Sequence, residues 1–221
     1  MVLTFAEEIL LLALDDETGR FVRMGTQGLG YPLAGAVLMD LALRGKIDAD
    51  LEKVEVIDSS PTGEPLLDGP LERIVSESEP FSAREWIGRL LPESEAVEEG
   101  ALSRLVERGV LRREEKRVLW VFKERRYPMV DDTEEKEVKR RLVDLLLSDE
   151  IPSPRDVALI ALVDACDLLG TVLSAREVER VGPRVEQIRK LDLIGQAMTA
   201  AVQNLRLEIA RSIAGAPGIS Y

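Results

Sequence analysis

In the opening run LTFAEEILLLAL, Thr4 stands three residues before Glu7. At that spacing the two residues satisfy each other's free amides at a helix start. A helix over Phe5–Leu14 is predicted, ended by Asp15, Asp16 and Gly19. Three glycines and a proline between Gly25 and Pro32 mark a loop, and the apolar stretch Leu33–Leu43 reads as a second helix that stops at Arg44 with Gly45 as its left-handed cap. The segments KVEVID and EPLLD flank Ser59–Gly63, whose proline and glycine suit a tight turn, so the two are read as a hairpin. Helical patterns follow at Leu71–Glu77, Ala83–Leu91 and Ala101–Arg108, the last within LVERGVL and again ending at a glycine. RREEKRVLWVF is then read as a second hairpin with Val118–Phe122 as its apolar strand. Helix, Arg-Gly, apolar pair and hairpin thus occur twice, at Arg44 and Arg108, with little identity between the copies. The rest of the chain has helical patterns at Glu134–Leu147, Pro154–Leu169, Ala175–Val181 and Val185–Ala214, punctuated by Pro152, Pro154, Gly182 and Pro183. The fold class is mostly α: a single, largely helical domain over residues 1–214 carrying one or two β-hairpins. Residues 215–221, rich in Gly and Pro, are expected to form a flexible tail.

Composition bears on function more than on fold. An apolar content of 45% is ample for a packed core in 221 residues. Acidic residues outnumber basic ones 41 to 29, a formal net charge of −12, so any contact with nucleic acid or anionic lipid must come from a local basic patch. Cys166, the sole cysteine, can form no internal disulfide, and the N-terminus lacks the basic start and small-residue cleavage site of a signal peptide. The longest strongly apolar run, Ile9–Leu14, is far short of the roughly 20 residues that span a bilayer. A cytoplasmic location follows, with any membrane contact peripheral. The chain has no histidine, which removes the usual general base near neutral pH and the commonest transition-metal ligand. It has no phosphate loop ending in Gly-Lys-Ser/Thr, and Gly25, Gly28 and Gly30 lack the spacing of a dinucleotide fingerprint. No catalytic residue, metal ligand or cofactor is assigned, and the chain is read as a non-enzyme. Within ALIALVDACDLL, Cys166 reads as a small core residue rather than a nucleophile. Asp164 and Asp167 share a face there, which suits capping or an ion pair with another helix better than a paired-carboxylate site.

One stretch departs from this acidic background. Between Arg108 and Arg126 the basic residues Arg108, Arg112, Arg113, Lys116, Arg117, Lys123, Arg125 and Arg126 face only Glu114, Glu115 and Glu124. Inside the stretch lies Val118-Leu119-Trp120-Val121-Phe122, which in a hairpin points side chains to both faces. The plainer reading is an ordinary strand whose outer face meets another helix. The alternative is a membrane-contacting hairpin, because Trp favours the interface and basic neighbours such as Arg112, Arg113, Lys116 and Arg117 favour anionic head groups. A helix ending in LVERGVL before a basic hairpin also fits a winged-helix DNA binder, but the approach to that helix carries Glu93, Glu95, Glu98 and Glu99 where phosphates would need bases. Nucleic acid is therefore not an expected partner.

Taken in order, LTFAEEILLLAL, GAVLMDLALRGKI, PTGEPLLD, EWIGRLL, LVERGVL with its apolar hairpin, and ALIALVDACDLL resemble the Golgi phosphoprotein 3 family from Thr4 to about Leu169. The resemblance implies a single helical domain whose β-hairpin helps it meet membranes and self-associate. It also implies binding of phosphatidylinositol 4-phosphate at the cytosolic face of a membrane, and recruitment of client protein tails. Val118–Phe122 falls on the family's apolar hairpin. The family's lipid pocket uses a tryptophan in the loop before the second helix, an arginine at that helix's start, and two arginines before the segment matching LVERGVL. Here those places hold Met24 or Gly25, then Ala34, then residues near Glu95 and Glu98. The expected function is a peripheral adaptor that binds a phosphoinositide or other anionic lipid, with a soluble interaction scaffold as the alternative.

Overall fold

The computed structural model describes residues 2–15, 18–22, 28–49, 53–118 and 122–190. Among them are eight α-helices and two antiparallel hairpins. Helix α1 (Phe5–Ala13) forms because Thr4 and Glu7 cap each other: the Glu7 N–H donates to Thr4 Oγ1 at 3.3 Å, and the Thr4 N–H donates to Glu7 Oε2 at 2.7 Å. Every residue of α1 is buried, so it is the centre of the molecule rather than one of its faces. Helix α2 (Gly30–Leu43) packs along it and also touches α3 (Pro65–Ser76), α4 (Ala83–Leu90), α5 (Ser94–Glu107) and α7 (Pro154–Ala165). Helix α6 (Thr133–Leu147) packs on α1, and α8 (Ala175–Arg189) on α6 and α7. Leu10, Leu11, Leu38, Trp86, Leu105, Ile160 and Ile188 are among the side chains that fill the common core, each contributing roughly 1.5–3 kcal/mol by leaving water.

Three helices end in the same way. At α2 the Gly45 N–H donates to Ala42 O and the Lys46 N–H to Leu41 O, both at 2.9 Å, with Gly45 at φ 66°. At α5 the Gly109 and Val110 amides repeat the pattern on Val106 and Leu105, with φ 76° at Gly109. This is the paired-hydrogen-bond ending that glycine favours. At α7 the amides of Asp167 and Leu168 bond to Asp164 and Val163, and the left-handed residue is an aspartate, Asp167 at φ 62°. The first two ends each lead into a hairpin, so the repeat of organisation at Arg44 and Arg108 is real at the level of backbone geometry.

The structure corrects four details. KVEVID does pair, but its strand β2 (Val54–Val56) pairs with β1 (Ile47–Ala49), directly after the Gly45 turn. EPLLD is the first turn of α3: Pro65 sits at its start, and Asp68 Oδ1 accepts the Thr62 N–H at 2.6 Å, folding the PTG turn back onto the helix. In the second hairpin the strands are the charged segments β3 (Glu114–Val118) and β4 (Phe122–Arg126), so Val118 and Phe122 belong to different strands, facing each other as the last pair, rather than to one apolar strand. Helix α8 runs unbroken through Gly182 and Pro183. Its buried stripe, Val181, Val185 and Ile188, keeps helical period across the proline, while Glu179, whose carbonyl loses a donor, is exposed to water. The expected helix beyond Lys190 and the tail 215–221 lie outside the described residues. Among the described residues, no helix is long and apolar enough to cross a membrane.

Candidate functional site

The β3–β4 ribbon stands on the core and runs outward. Val110 and Leu111 are buried at its base, Leu111 bridges to Met129, and the Arg112 N–H donates to Pro128 O at 3.0 Å. The base is braced from the side by the turn after α1, where the Tyr127 N–H donates to Gly19 O at 2.8 Å. Gly19 lies at φ 62°, and a Cβ there would sit 2.4 Å from Pro128 N, so only glycine fits this contact. Outward from the base the register pairs Glu114 with Arg126, Glu115 with Arg125 and Lys116 with Glu124, and ends with Val118 opposite Phe122. Among the described residues the ribbon pairs with no third strand. Leu119, Trp120 and Val121, the heart of the apolar run, lie outside the described residues, as do the side chains of Lys116, Arg117, Val118 and Phe122.

At its described positions the basic flank is ion-paired. Arg112 bonds Glu114 at 2.6 Å, and Glu99 on α5 holds Arg113 at 3.0 Å and Arg125 at 2.8 Å. One carboxylate thus ties the ribbon to the helix before it. These arginines stay open to solvent, with side-chain exposures of 66% for Arg112 and 55% for Arg125, so each pair is worth only about 0–1 kcal/mol. An anionic surface can compete for them.

The other candidates resolve simply. Cys166 is buried in the core beside α7. Asp164 pairs with Arg189 of α8 at 3.1 Å and Asp167 is the left-handed residue described above, so the two do not form a carboxylate pair.

A second constellation was not anticipated from the sequence. Glu7, Glu8 and Asp40 are all buried at the start of α1 and on α2. Glu8 accepts from Arg141 at 2.5 Å and Arg155 at 2.8 Å, and Glu7 accepts from Arg104 at 3.2 Å, which also bonds Glu64. Asp40 accepts the Phe5 N–H at 2.8 Å, and Arg155 donates to Leu3 O at 2.6 Å while its guanidinium stacks 4.3 Å from the Phe5 ring centre. Burial pushes Glu8 above the usual carboxylate range against the pull of Arg155 and Arg141, and pushes Asp40 to about 6. The network joins α1, α2, α5, α6 and α7, and the hydrogen bonds of Glu7 and Glu8 to their arginines read as structural. The available signal was a pair of adjacent acids inside a run otherwise apolar on every side.

A family model described as Golgi phosphoprotein 3 (GPP34) matches residues 5–205. The chain belongs to the Golgi phosphoprotein 3 family. It is similar to the vacuolar protein sorting-associated protein 74 of Eremothecium gossypii, 30% identical over an alignment of 213 residues that covers 80% of this chain and 63% of that protein. It is also similar to the protein of that name from Schizosaccharomyces pombe, 32% identical over 167 residues, covering 66% of this chain and 49% of the relative. The chain therefore spans about half to two thirds of the length of these relatives.

Within this Golgi phosphoprotein 3 family member, the first turn of α2 meets the start of α5, where a Cβ on Gly30 would lie 3.2 Å from Ser94 Oγ. Ala34 is buried there, Glu95 is exposed and Glu98 is half-buried. Burial, with Glu95 and Glu99 adding repulsion, holds the Glu98 carboxyl above its ordinary value. Met24 and Gly25 lie outside the described residues. An anion approaching this end of α2 meets the carboxylates of Glu95, Glu98 and Glu99.

Proposed function

We propose that this chain is a peripheral membrane adaptor that attaches to an anionic, phosphoinositide-type lipid surface through the tip and basic flank of the β3–β4 ribbon. The observation that carries the reading is the ribbon itself: it is anchored at its base by buried residues, pairs with no third strand among the described residues, and has Val118 opposite Phe122 as its last described pair, with the apolar sequence Leu119-Trp120-Val121 between them. Burying two or three of the apolar tip residues is worth roughly 1.5–3 kcal/mol each, and each basic residue near the surface adds about 1 kcal/mol. Together these suffice for reversible attachment. The net charge of −12 opposes it only weakly, since repulsion from distant acids is screened beyond about 10 Å. The adaptor role, with client protein tails as cargo at the cytosolic face of a Golgi-type membrane, is supported by membership of the family and by relatives named for vacuolar protein sorting. The reading is one of binding rather than catalysis, in keeping with a chain that lacks histidine.

Flotation with vesicles containing or lacking phosphatidylinositol 4-phosphate tests the proposal. Trp120→Ala with Phe122→Ala should abolish flotation while leaving helical content and melting temperature near wild type. Reversal of Arg112, Arg113 and Arg117 to Glu should weaken attachment to anionic vesicles in the same way. Failure of the wild-type chain to float with vesicles of any anionic lipid tested sinks the proposal. A second reading follows from the two open edges of the ribbon, which can pair with the ribbon of another copy. Loss of self-association without loss of flotation in the tip variant would favour it.

A further inference from the structure

The two ends of α2 are opposite in character. Its first turn faces the carboxylates just described, whereas its last turn, about 20 Å away by helix rise, opens on a cavity of about 420 Å³ between residues 2–3, the end of α2 and the start of α7. Of the charged residues lining it, two are arginines, Arg44 and Arg155, and one is an acid, Asp40. Arg44 is exposed and, among the described residues, its side chain makes no hydrogen bond or ion pair. Arg155 uses Nη2 on Leu3 O and Glu8, while Nη1 stands 3.8 Å from Asp40 Oδ1, beyond hydrogen-bond length. Ser153 and Pro154 begin a twelve-residue helix whose end is already occupied: the Asp156 carboxylate accepts from the Ser153 N–H and O–H, and Ser153 Oγ accepts the Asp156 N–H, so the two arginines are the cationic groups of the site. The remaining wall is apolar, made by Val2, Leu3, Leu43 and Pro154, with Val2 and Leu43 exposed.

We propose that this cavity binds a phosphate monoester, its phosphoryl oxygens held between Arg44 and Arg155 and its organic part lying against the apolar wall. Two guanidinium groups brought from different helices suit a tetrahedral dianion, which offers an oxygen to each. Asp40 opposes the ligand's charge, and its buried carboxylate already has the Phe5 amide as a donor. Asn in its place keeps an acceptor for that amide and removes the repulsion.

The site is independent of the ribbon, and the two readings fail separately. Inorganic phosphate and glycerol 3-phosphate, titrated into the intact protein and followed by amide NMR, should give saturable shifts at Arg44, Ser153 and Arg155. Arg44→Gln, an exposed change that leaves the core untouched, should weaken binding about tenfold, the equivalent of one charge-assisted hydrogen bond. Asp40→Asn should strengthen it. The Trp120→Ala, Phe122→Ala variant should leave the titration unchanged even where it no longer floats. Phosphatidylcholine vesicles with and without phosphatidylinositol 4-phosphate then assign the source of the ester: a lipid headgroup if Arg44→Gln also weakens flotation, a soluble ester if only the titration changes. Absence of saturable shifts at these amides, or shifts that Arg44→Gln leaves intact, overturns the proposal.

Discussion

Asp40 shows how one buried carboxyl sets a pH dependence. Loss of water costs its charged form more than the Phe5 amide and the charges of Arg155 and Arg44 return, which places its pKa at about 6 against an ordinary 3.8. Between those values the folded protein holds a proton that the unfolded chain has released. Stability conferred at this position therefore falls as pH rises from about 4 to about 6, by about 3 kcal/mol in all. Asp40→Asn removes that dependence, so relative to wild type it should gain about 2–3 kcal/mol between pH 4 and pH 7, read from urea unfolding at the two pH values. A difference that does not change with pH would exclude Asp40 as the titrating group. Asp167 makes a different residue-scale statement. It occupies, at φ 62°, the position that glycine occupies at the ends of α2 and α5. Asp167→Gly should raise stability by up to about 1 kcal/mol by removing the crowding of Cβ in a left-handed residue, visible as a higher melting temperature. The ends at Gly45 and Gly109 were legible because glycine announces them. The third was not, because an aspartate three residues after Asp164 suggests a shared helix face.

At the scale of elements, the helices were read well where capping and period coincide, as at Thr4 with Glu7, or where period alone is strong, as over Glu134–Leu147. They were misread where proline carried the argument. The Pro61–Gly63 turn made EPLLD look like a strand although Pro65 starts a helix, and Pro183 looks like a break yet is absorbed on a solvent-facing turn. The ribbon was legible as a hairpin, but not its register. That depends on opposite charges meeting across it, Glu114 with Arg126 and Glu115 with Arg125, a fact visible only once the strands are aligned. The same element carries a prediction about Glu99, the acid that holds Arg113 and Arg125 at its base. Glu99→Gln should tighten attachment to anionic vesicles about fivefold, since one charge near the surface is worth about 1 kcal/mol, while unfolding free energy moves by less than about 0.5 kcal/mol. Weaker or unchanged attachment in a cosedimentation titration would place the base of the ribbon away from the lipid.

On the scale of the whole molecule, what could not be read was how distant parts of the chain meet. Arg104, Arg141 and Arg155 look like ordinary surface cations in their own helices, and only the fold brings them to Glu7 and Glu8. Breaking this hub should be expensive: Glu8→Ala strands two arginines beside the core and should cost about 3–5 kcal/mol, measured by chemical denaturation. An effect below 1 kcal/mol would mean that water replaces the carboxylate. The hub also has a consequence in time. Glu7 is bonded to a residue 97 positions later, and Glu8 to residues 133 and 147 positions later. A ribosome delivers the acids first and completes their set of partners only when α7 emerges. Until then the central helix carries unmatched charge and has little to pack against, so assembly waits for most of the described chain and proceeds through long-range contacts. Nascent chains stalled before Arg155 should therefore remain sensitive to protease, and resistance should arise abruptly once α7 and α8 have cleared the exit tunnel, rather than growing helix by helix.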